Sequence, residues 1–366
     1  MKVAILTSSR ADYSIYLPLL KALKNDPFFD LTIMAFGTHL SQKHGYTLSQ
    51  IEKDGFDVSI QVDTMPEGDN PFEISNALGK TITNFSVIWN VHQFDLVFCL
   101  GDRYEMFAAC ASGVPFNVKF AHIHGGEQTL GAIDDTFRHA ITHMSAYHFT
   151  TTEEYKNRVI ELKGSAENIH NVGALSIDNL KTYPLLSIEE FKNKFQIDLS
   201  VPSILITFHP ETVSFEKNEK HIDELIAALN ETKNYQLIIT MPNTDTMGNM
   251  IREKLNHFIK AHSNAIGVES FGTLGYLSCM KHSSFMLGNT SSGFVEASYF
   301  PKYVINLGER QTGRIITENI SNCKIERNAI LNAIADFRNR ALPAEITIYG
   351  NGNASEKIIR LLKIPA

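Results

Sequence analysis

Cysteine is scarce in this chain, with four in 366 residues, and Cys99, Cys110, Cys279 and Cys323 lie far apart. That spacing excludes a disulfide framework and a CxxC metal site, and leaves buried free thiols as the reading for Cys99 and Cys279, which sit in apolar segments. Runs of lysine and arginine are also missing, and the net charge is −7. Duplex nucleic acid is therefore not expected as a partner. No apolar run reaches the ~18 residues that a membrane span needs. Met1-Lys2 passes straight into Val3-Ala4-Ile5-Leu6, too short for the apolar region of a signal peptide, so a reducing, cytoplasmic setting without membrane contact is expected. Neither GxGxxG nor a P-loop appears, which excludes the ordinary NAD and ATP signatures. Low-complexity segments and short repeats are absent as well.

What the chain does have is apolar content, 43% against 20% charged, enough to fill a core and to argue against disorder. The length suggests two domains. Short apolar runs alternate with helical patterns throughout, as in βαβ units, so an α/β fold of two doubly wound, Rossmann-like domains is expected. Strands are predicted at Lys2–Ser8, Leu31–Phe36, Asp95–Leu100, Val118–Ile123 and Tyr147–Thr150. A second series follows at Ser203–Phe208, Gln236–Thr240, Gly267–Phe271, Phe285–Gly288 and Lys302–Ile305. The pattern weakens from Lys181 to Pro202, which places a domain boundary there. The expected division is 1–180, 181–353 and an amphipathic last helix at 354–366.

Polar residues crowd the ends of these strands, where open α/β sheets bind ligands. Ser8-Ser9-Arg10-Ala11-Asp12-Tyr13-Ser14 follows the first strand; a helix N-terminus there offers N–H groups to an anion, and Arg10 adds a positive charge. Gly101-Asp102-Arg103-Tyr104-Glu105 follows a strongly apolar strand. The densest stretch runs from His122 to Arg138. His122 and His124, two apart on a strand, are expected to share a face. Gly125-Gly126 turns the chain tightly before Glu127. A helix is expected from Ile133, with Asp134 and Arg138 as neighbours four apart, and Asp135 and His139 likewise. Titratable groups gathered in this way suit proton transfer. The alternatives are a structural helix pair for Asp134–Arg138, a structural histidine at 122, or metal ligation by His122, His124, Glu127 and Asp134.

In the second half, Asn289-Thr290-Ser291-Ser292-Gly293 follows a strand and reads as an anion cradle of hydroxyls and backbone N–H groups. Arg310, beyond the neighbouring strand, suits a phosphate. Glu296 is oddly placed for phosphate alone, whereas a carboxylate accepting ribose hydroxyls accounts for it. The competing reading is an ordinary N-capped helix.

These segments, with Phe208-His209-Pro210-Glu211-Thr212 and Asn306-Leu307-Gly308-Glu309-Arg310-Gln311, resemble the hydrolysing UDP-N-acetylglucosamine 2-epimerases of bacterial sialic and nonulosonic acid biosynthesis. The resemblance spans essentially the whole chain. It implies a GT-B-like fold with two domains facing a cleft, and the last helix crossing back onto the first domain. It implies cleavage of a UDP-sugar to UDP and a 2-epimerised N-acetylamino sugar through a glycal, without metal or cofactor. A homodimer or homotetramer is implied as well. Ser291, Ser292 and Arg310 would contact phosphate, with Arg10 reaching across from the first domain, and Ser14, Arg103 and Gly293 would belong to the UDP-sugar site. His209 would lie near the diphosphate, Glu296 at the ribose, and Asn243 and Phe271 in the nucleotide site. Asp102 and Glu127 are expected as the acid/base pair, assisted by His124, Asp134 and Arg138. One departure bears on the chemistry: non-hydrolysing relatives carry His-x-Glu where this chain has His122-Ile123-His124. A UDP-2,4-diacetamido-2,4,6-trideoxyglucose substrate, a GT-B glycosyltransferase and a UDP-sugar-binding protein are the rival readings.

Overall fold

The computed structural model describes residues 1–42, 46–66, 68–242, 245–300, 302–337, 340–341, 343–344 and 346–364. Two compact units make up the chain. One comprises Met1–Glu127, Asp134–Thr182 and Ile348–Ala366; the other comprises Gln128–Ile133 and Tyr183–Thr347.

In the first unit the strands are β1 (Lys2–Thr7), β2 (Asp30–Phe36), β3 (Ile60–Val62), β4 (Leu96–Leu100), β5 (Phe120–Ile123), β6 (Tyr147–Thr150) and β7 (Ile169–Asn171). They form one sheet in the order β3-β2-β1-β4-β5-β6-β7, and every pairing is parallel. The order reverses between β1 and β4, so the turns after these two neighbouring strands stand at a topological switch point. Val3–Leu6 and Leu96–Cys99 are fully buried, which is why they read as unbroken apolar runs rather than as alternation. Phe85 and Trp89 of the helix Pro71–Val91, with Met106, Ala109 and Cys110 of the helix Tyr104–Gly113, pack on one face of this sheet. The last helix, Ala354–Leu362, belongs to this unit; the Asp178 carboxylate accepts from the N–H groups of Ala354 and Ser355 at 2.9 and 2.8 Å and so caps it.

The second unit repeats the plan with β8 (Ser203–Thr207), β9 (Gln236–Thr240), β10 (Ala265–Val268), β11 (Phe285–Gly288), β12 (Val304–Leu307) and β13 (Ile320–Cys323). The order is β10-β9-β8-β11-β12-β13, again all parallel, with the reversal between β8 and β11. Ile204, Ile206, Leu237, Ile239, Leu287 and Ile305 form its core with Ile222 and Leu225 of the helix Asn218–Glu231. Cys99, Cys110 and Cys279 are buried free thiols. Among the described residues no helix is long and apolar enough to cross a membrane.

Candidate active site

At the first switch point, the helix Arg10–Lys24 opens with a capping box between Ser9 and Asp12. The buried Asp12 carboxylate accepts from the Ser8 N–H and hydroxyl, both at 2.8 Å, and from the Thr7 hydroxyl at 2.5 Å. Burial alone would raise this carboxyl; its contacts with His39, and the Thr7 and Ser8 hydrogen bonds, outweigh burial and hold it below the ordinary value. The turn that carries Arg10 is thereby pinned. Ser14 lies one turn further on, and its carbonyl accepts from Asn179 at 2.8 Å.

After β4, Gly101 takes φ +78° and donates its N–H to the Ile123 carbonyl at 3.0 Å. His122 donates from Nε2 to the Gly101 carbonyl at 2.8 Å, and its Nδ1 lies 3.1 Å from the Thr142 hydroxyl. Burial pushes this imidazole down to about 4, so it is neutral and fastens the Asp102 turn. The Asp102 carboxylate forms an ion pair with Arg138, whose side chain is only 2% exposed. Arg103, expected to meet substrate, forks onto the buried Glu105 carboxylate at 3.1 and 3.0 Å. Arg138 lies on the helix Asp134–Met144, where Asp135 and His139 stand 3.4 Å apart.

The expectation that His122 and His124 share a face is corrected here. Strand β5 ends at Ile123, and His124 takes φ +67°, so strand alternation no longer applies. His124 turns to Glu127, with Nδ1 2.9 Å from Oε1. The same Glu127 oxygen accepts from the Thr151 hydroxyl at 3.0 Å. The glycines make this close turn possible. A Cβ on Gly126 (φ +80°) would stand 2.3 Å from the Tyr155 carbonyl oxygen, and one on Gly125 would stand 3.0 Å from His122 Nδ1. The metal cue read from His122 and His124 loses its geometric basis with this split, and among the described residues no three His, Cys, Asp or Glu side chains group as ligands.

Between Glu127 and Asp134 the chain runs through Gln128–Ile133, which belongs to the second unit. There Leu130 donates to the Thr312 carbonyl at 2.9 Å and Ile133 to the Thr212 hydroxyl at 2.9 Å. A Cβ on Gly131 would stand 2.4 Å from the Glu309 carbonyl oxygen.

The second switch point is organised by the fully buried Asn289. Its side chain accepts from the His209 N–H at 2.7 Å and donates to the His209 carbonyl at 2.8 Å. Its own carbonyl receives Gln311 at 2.8 Å and Arg310 at 3.5 Å. Arg310 also reaches the Pro210 carbonyl at 3.3 Å and Asp245 at 3.4 Å. The helix expected to begin at the serines is shorter than its pattern suggests. Ser291–Gly293 forms one 3₁₀ turn capped by Thr290, and the helix proper is Glu296–Tyr299. The serine cradle therefore rests on hydroxyls and turn N–H groups rather than on a long helix dipole. Ser292 lies 2.6 Å from the Tyr276 hydroxyl, and Gly293 packs against Val304, 2.9 Å from where a Cβ would lie. Glu296 is half-buried. Phe271 packs with Phe191 and Phe195, ring centroids 5.4 and 5.0 Å apart. Asn243 lies outside the described residues.

The structure thus groups Asp102 with Arg138 and His124 with Glu127 in one unit, and His209, Arg310 and the serine turn around Asn289 in the other. Sequence reading gives no role to Asn289, Gln311, Tyr276 or Thr151. The first two stand inside quoted motifs; Thr151 carries no local signal.

A family model described as UDP-N-acetylglucosamine 2-epimerase matches residues 21–363. The chain belongs to the UDP-N-acetylglucosamine 2-epimerase family. Its relatives include the UDP-N,N'-diacetylbacillosamine 2-epimerase (hydrolyzing) of Legionella pneumophila, 31% identical over 99% of this chain and 95% of that protein. Another is the polysialic acid biosynthesis protein P7 of Escherichia coli, 34% identical over 91% of this chain and 85% of that protein. The crystal structure of UDP-GlcNAc 2-epimerase from Neisseria meningitidis bound to UDP-GlcNAc shares the GT-B-like fold, with TM-score 0.82 and 17% identity over 99% of both chains. The first unit thus holds two preorganised pairs of charged or titratable side chains, Asp102 with Arg138 and His124 with Glu127. The second unit gathers Arg310, Gln311, the His209 backbone and the serine turn around Asn289.

Proposed function

We propose that this protein is a hydrolysing UDP-2-acetamido-sugar 2-epimerase, converting UDP-N-acetylglucosamine and water to UDP and N-acetylmannosamine. No carbonyl activates the C2 proton, so its removal depends on positive character developing at C1 as UDP leaves. Donors on the diphosphate stabilise the leaving group: Arg310, His209, Ser291 and Ser292 of the second unit. Glu296 takes the ribose hydroxyls, and Phe271 borders the base. Proton transfer falls to Asp102, His124, Glu127 and Asp134, with Arg138 orienting Asp102. The observation that carries this reading is the Asp102–Arg138 pair and the His124–Glu127 pair at the carboxyl ends of the neighbouring strands β4 and β5, in a chain of this family.

The name of the Legionella relative supports a second substrate, UDP-N,N'-diacetylbacillosamine. It carries the same 2-acetamido group and differs at C4 and C6. Incubation with each UDP-sugar in deuterated water tests both. Release of UDP with a 2-epimerised sugar bearing deuterium at C2 is expected, and the faster substrate identifies the native one. Retained protium at C2, or transfer to an added acceptor in place of water, refutes the proposal.

A further inference from the structure

His124 combines three features that an ordinary buried histidine does not. Its backbone is left-handed, at φ +67°, a conformation that costs a residue with a Cβ about 1–2 kcal/mol and that clusters at functional sites. The residue is 8% exposed, and its Nε2 has no hydrogen-bond partner among the described residues. Its other nitrogen, Nδ1, is held 2.9 Å from Glu127 Oε1, and that oxygen is itself held by the Thr151 hydroxyl at 3.0 Å. A carboxylate only accepts, so it keeps a proton on Nδ1 and leaves the Nε2 lone pair as the reactive face. Glu127 is 2% exposed and committed to this contact. His122 is the contrast: both of its ring nitrogens have partners, Gly101 and Thr142.

We infer that His124 Nε2 is the base that removes the sugar C2 proton, and that Glu127 and Thr151 are positioning residues behind it. This assignment rests on the proposed epimerase reaction and reverses the weights that residue type alone suggests, where Glu127 acts directly and His124 assists. In the step, the C2–H bond breaks and its proton passes to Nε2. The electron pair forms the C1–C2 double bond, and the C1–O bond breaks with its pair leaving on UDP. The imidazolium so formed lies against the Glu127 carboxylate, which stabilises it as it develops. It returns its proton to water, because epimerisation needs the new C2 proton on the opposite face.

Three measurements test this. His124→Ala should lower kcat by ~10²-fold or more and recover at least roughly tenfold in added imidazole, which replaces a missing base but not a missing packing group. Glu127→Gln should lower kcat by about tenfold with little change in KM, and imidazole should not rescue it, since the histidine is still present. In the wild-type protein, UDP together with the 2-acetamidoglycal should move the His124 ring resonance. That last readout needs no turnover, so a chain that fails the epimerase assay is distinguished from one in which His124 has another role. His124→Ala within threefold of wild type, or an unmoved ring resonance, overturns the assignment. Should His124→Ala not fold, His124→Gln, which retains a donor toward Glu127, takes its place with the same expectations.

Discussion

Arg138, buried on the helix Asp134–Met144, closes its ion pair on Asp102, thirty-six residues earlier, in the turn that follows β4. The pair joins two elements of the first unit at the sheet's carboxyl end and fixes the direction in which Asp102 presents its carboxylate.

Asp102→Asn keeps the shape of that side chain and removes its capacity to exchange a proton. It should fold normally and lose ~10²–10⁴-fold in kcat, the range of a single acid/base group. Arg138→Met leaves Asp102 without its cation and should lower both kcat and stability, the latter by about 3 kcal/mol or less, because Asp102 keeps partial access to water. Steady-state kinetics and urea melts of the two variants separate these effects. Full activity in Asp102→Asn would remove Asp102 from the chemistry.

Asn289 acts in the second unit as a substitute for a strand neighbour, bonding both backbone groups of His209. Asn289→Ala leaves those two buried groups unpaired, at about 1–3 kcal/mol each. It also frees the His209 backbone, which on the proposed reading holds that side chain near the diphosphate. A lowered melting temperature together with weaker UDP binding, read by titration calorimetry, is expected. Weakened stability with unchanged UDP affinity would make the clamp purely structural.

Gly131 is tightly fitted, since an added methyl would meet the Glu309 carbonyl and the Arg310 Cα at 2.4 and 2.6 Å. Backbone on that side has to move. Gly131→Ala should therefore cost about 1–3 kcal/mol and weaken UDP binding through Arg310, while Gly79→Ala, which meets no atom within 4 Å, should leave binding unchanged. Equal UDP affinity in both variants would place the Arg310 turn outside the nucleotide seat.

The central strands are readable in the sequence because burial on both faces makes them continuous apolar runs. The strands that sequence reading leaves out are β3, β7 and β13, each an outermost strand of its sheet. They are short and carry polar residues such as Gln61, His170 and Asn322, so neither run nor alternation marks them. The helix Ile188–Phe195 lies within the weak stretch taken as a boundary, with only Phe191 buried; its Ser187–Glu190 capping box was its one local signal. In the site, motif order finds the residues but not their pairings. Helical spacing suggests Asp134 for Arg138, whereas Asp102 reaches it through the fold. Strand alternation places His124 beside His122, whereas a left-handed residue after the strand aims it at Glu127. The first outcome depends on a neighbour distant in sequence, which no local pattern encodes; the second is a contact three residues along, set by a turn that strand alternation does not describe.

Two buried histidines give the fold an acid sensitivity of predictable sign. Burial, the largest influence on each, pushes His122 down to about 4 and His148 down to about 3; neighbouring histidines, and Lys163 beside His148, push the same way. In the unfolded chain both titrate near the ordinary value of ~6.5. Between that value and the folded ones, the unfolded state binds more protons than the folded state, so stability rises with pH across this window and is lost as pH falls. The stabilising contribution is complete above ~6.5 and declines on acidification through 4, by about 3–5 kcal/mol per group at full extent. Denaturant midpoints measured at pH 7.5, 6 and 5 should fall in that order. His148→Leu removes one proton-binding site from the unfolded chain and keeps an apolar side chain in the core, so its midpoint should fall less steeply. His122→Leu would also break the bond to Gly101, which makes His148 the cleaner probe. An acid slope identical in the wild type and His148→Leu would show that His148 binds protons equally in the folded and unfolded chain, against its burial beside His122 in strands β5 and β6.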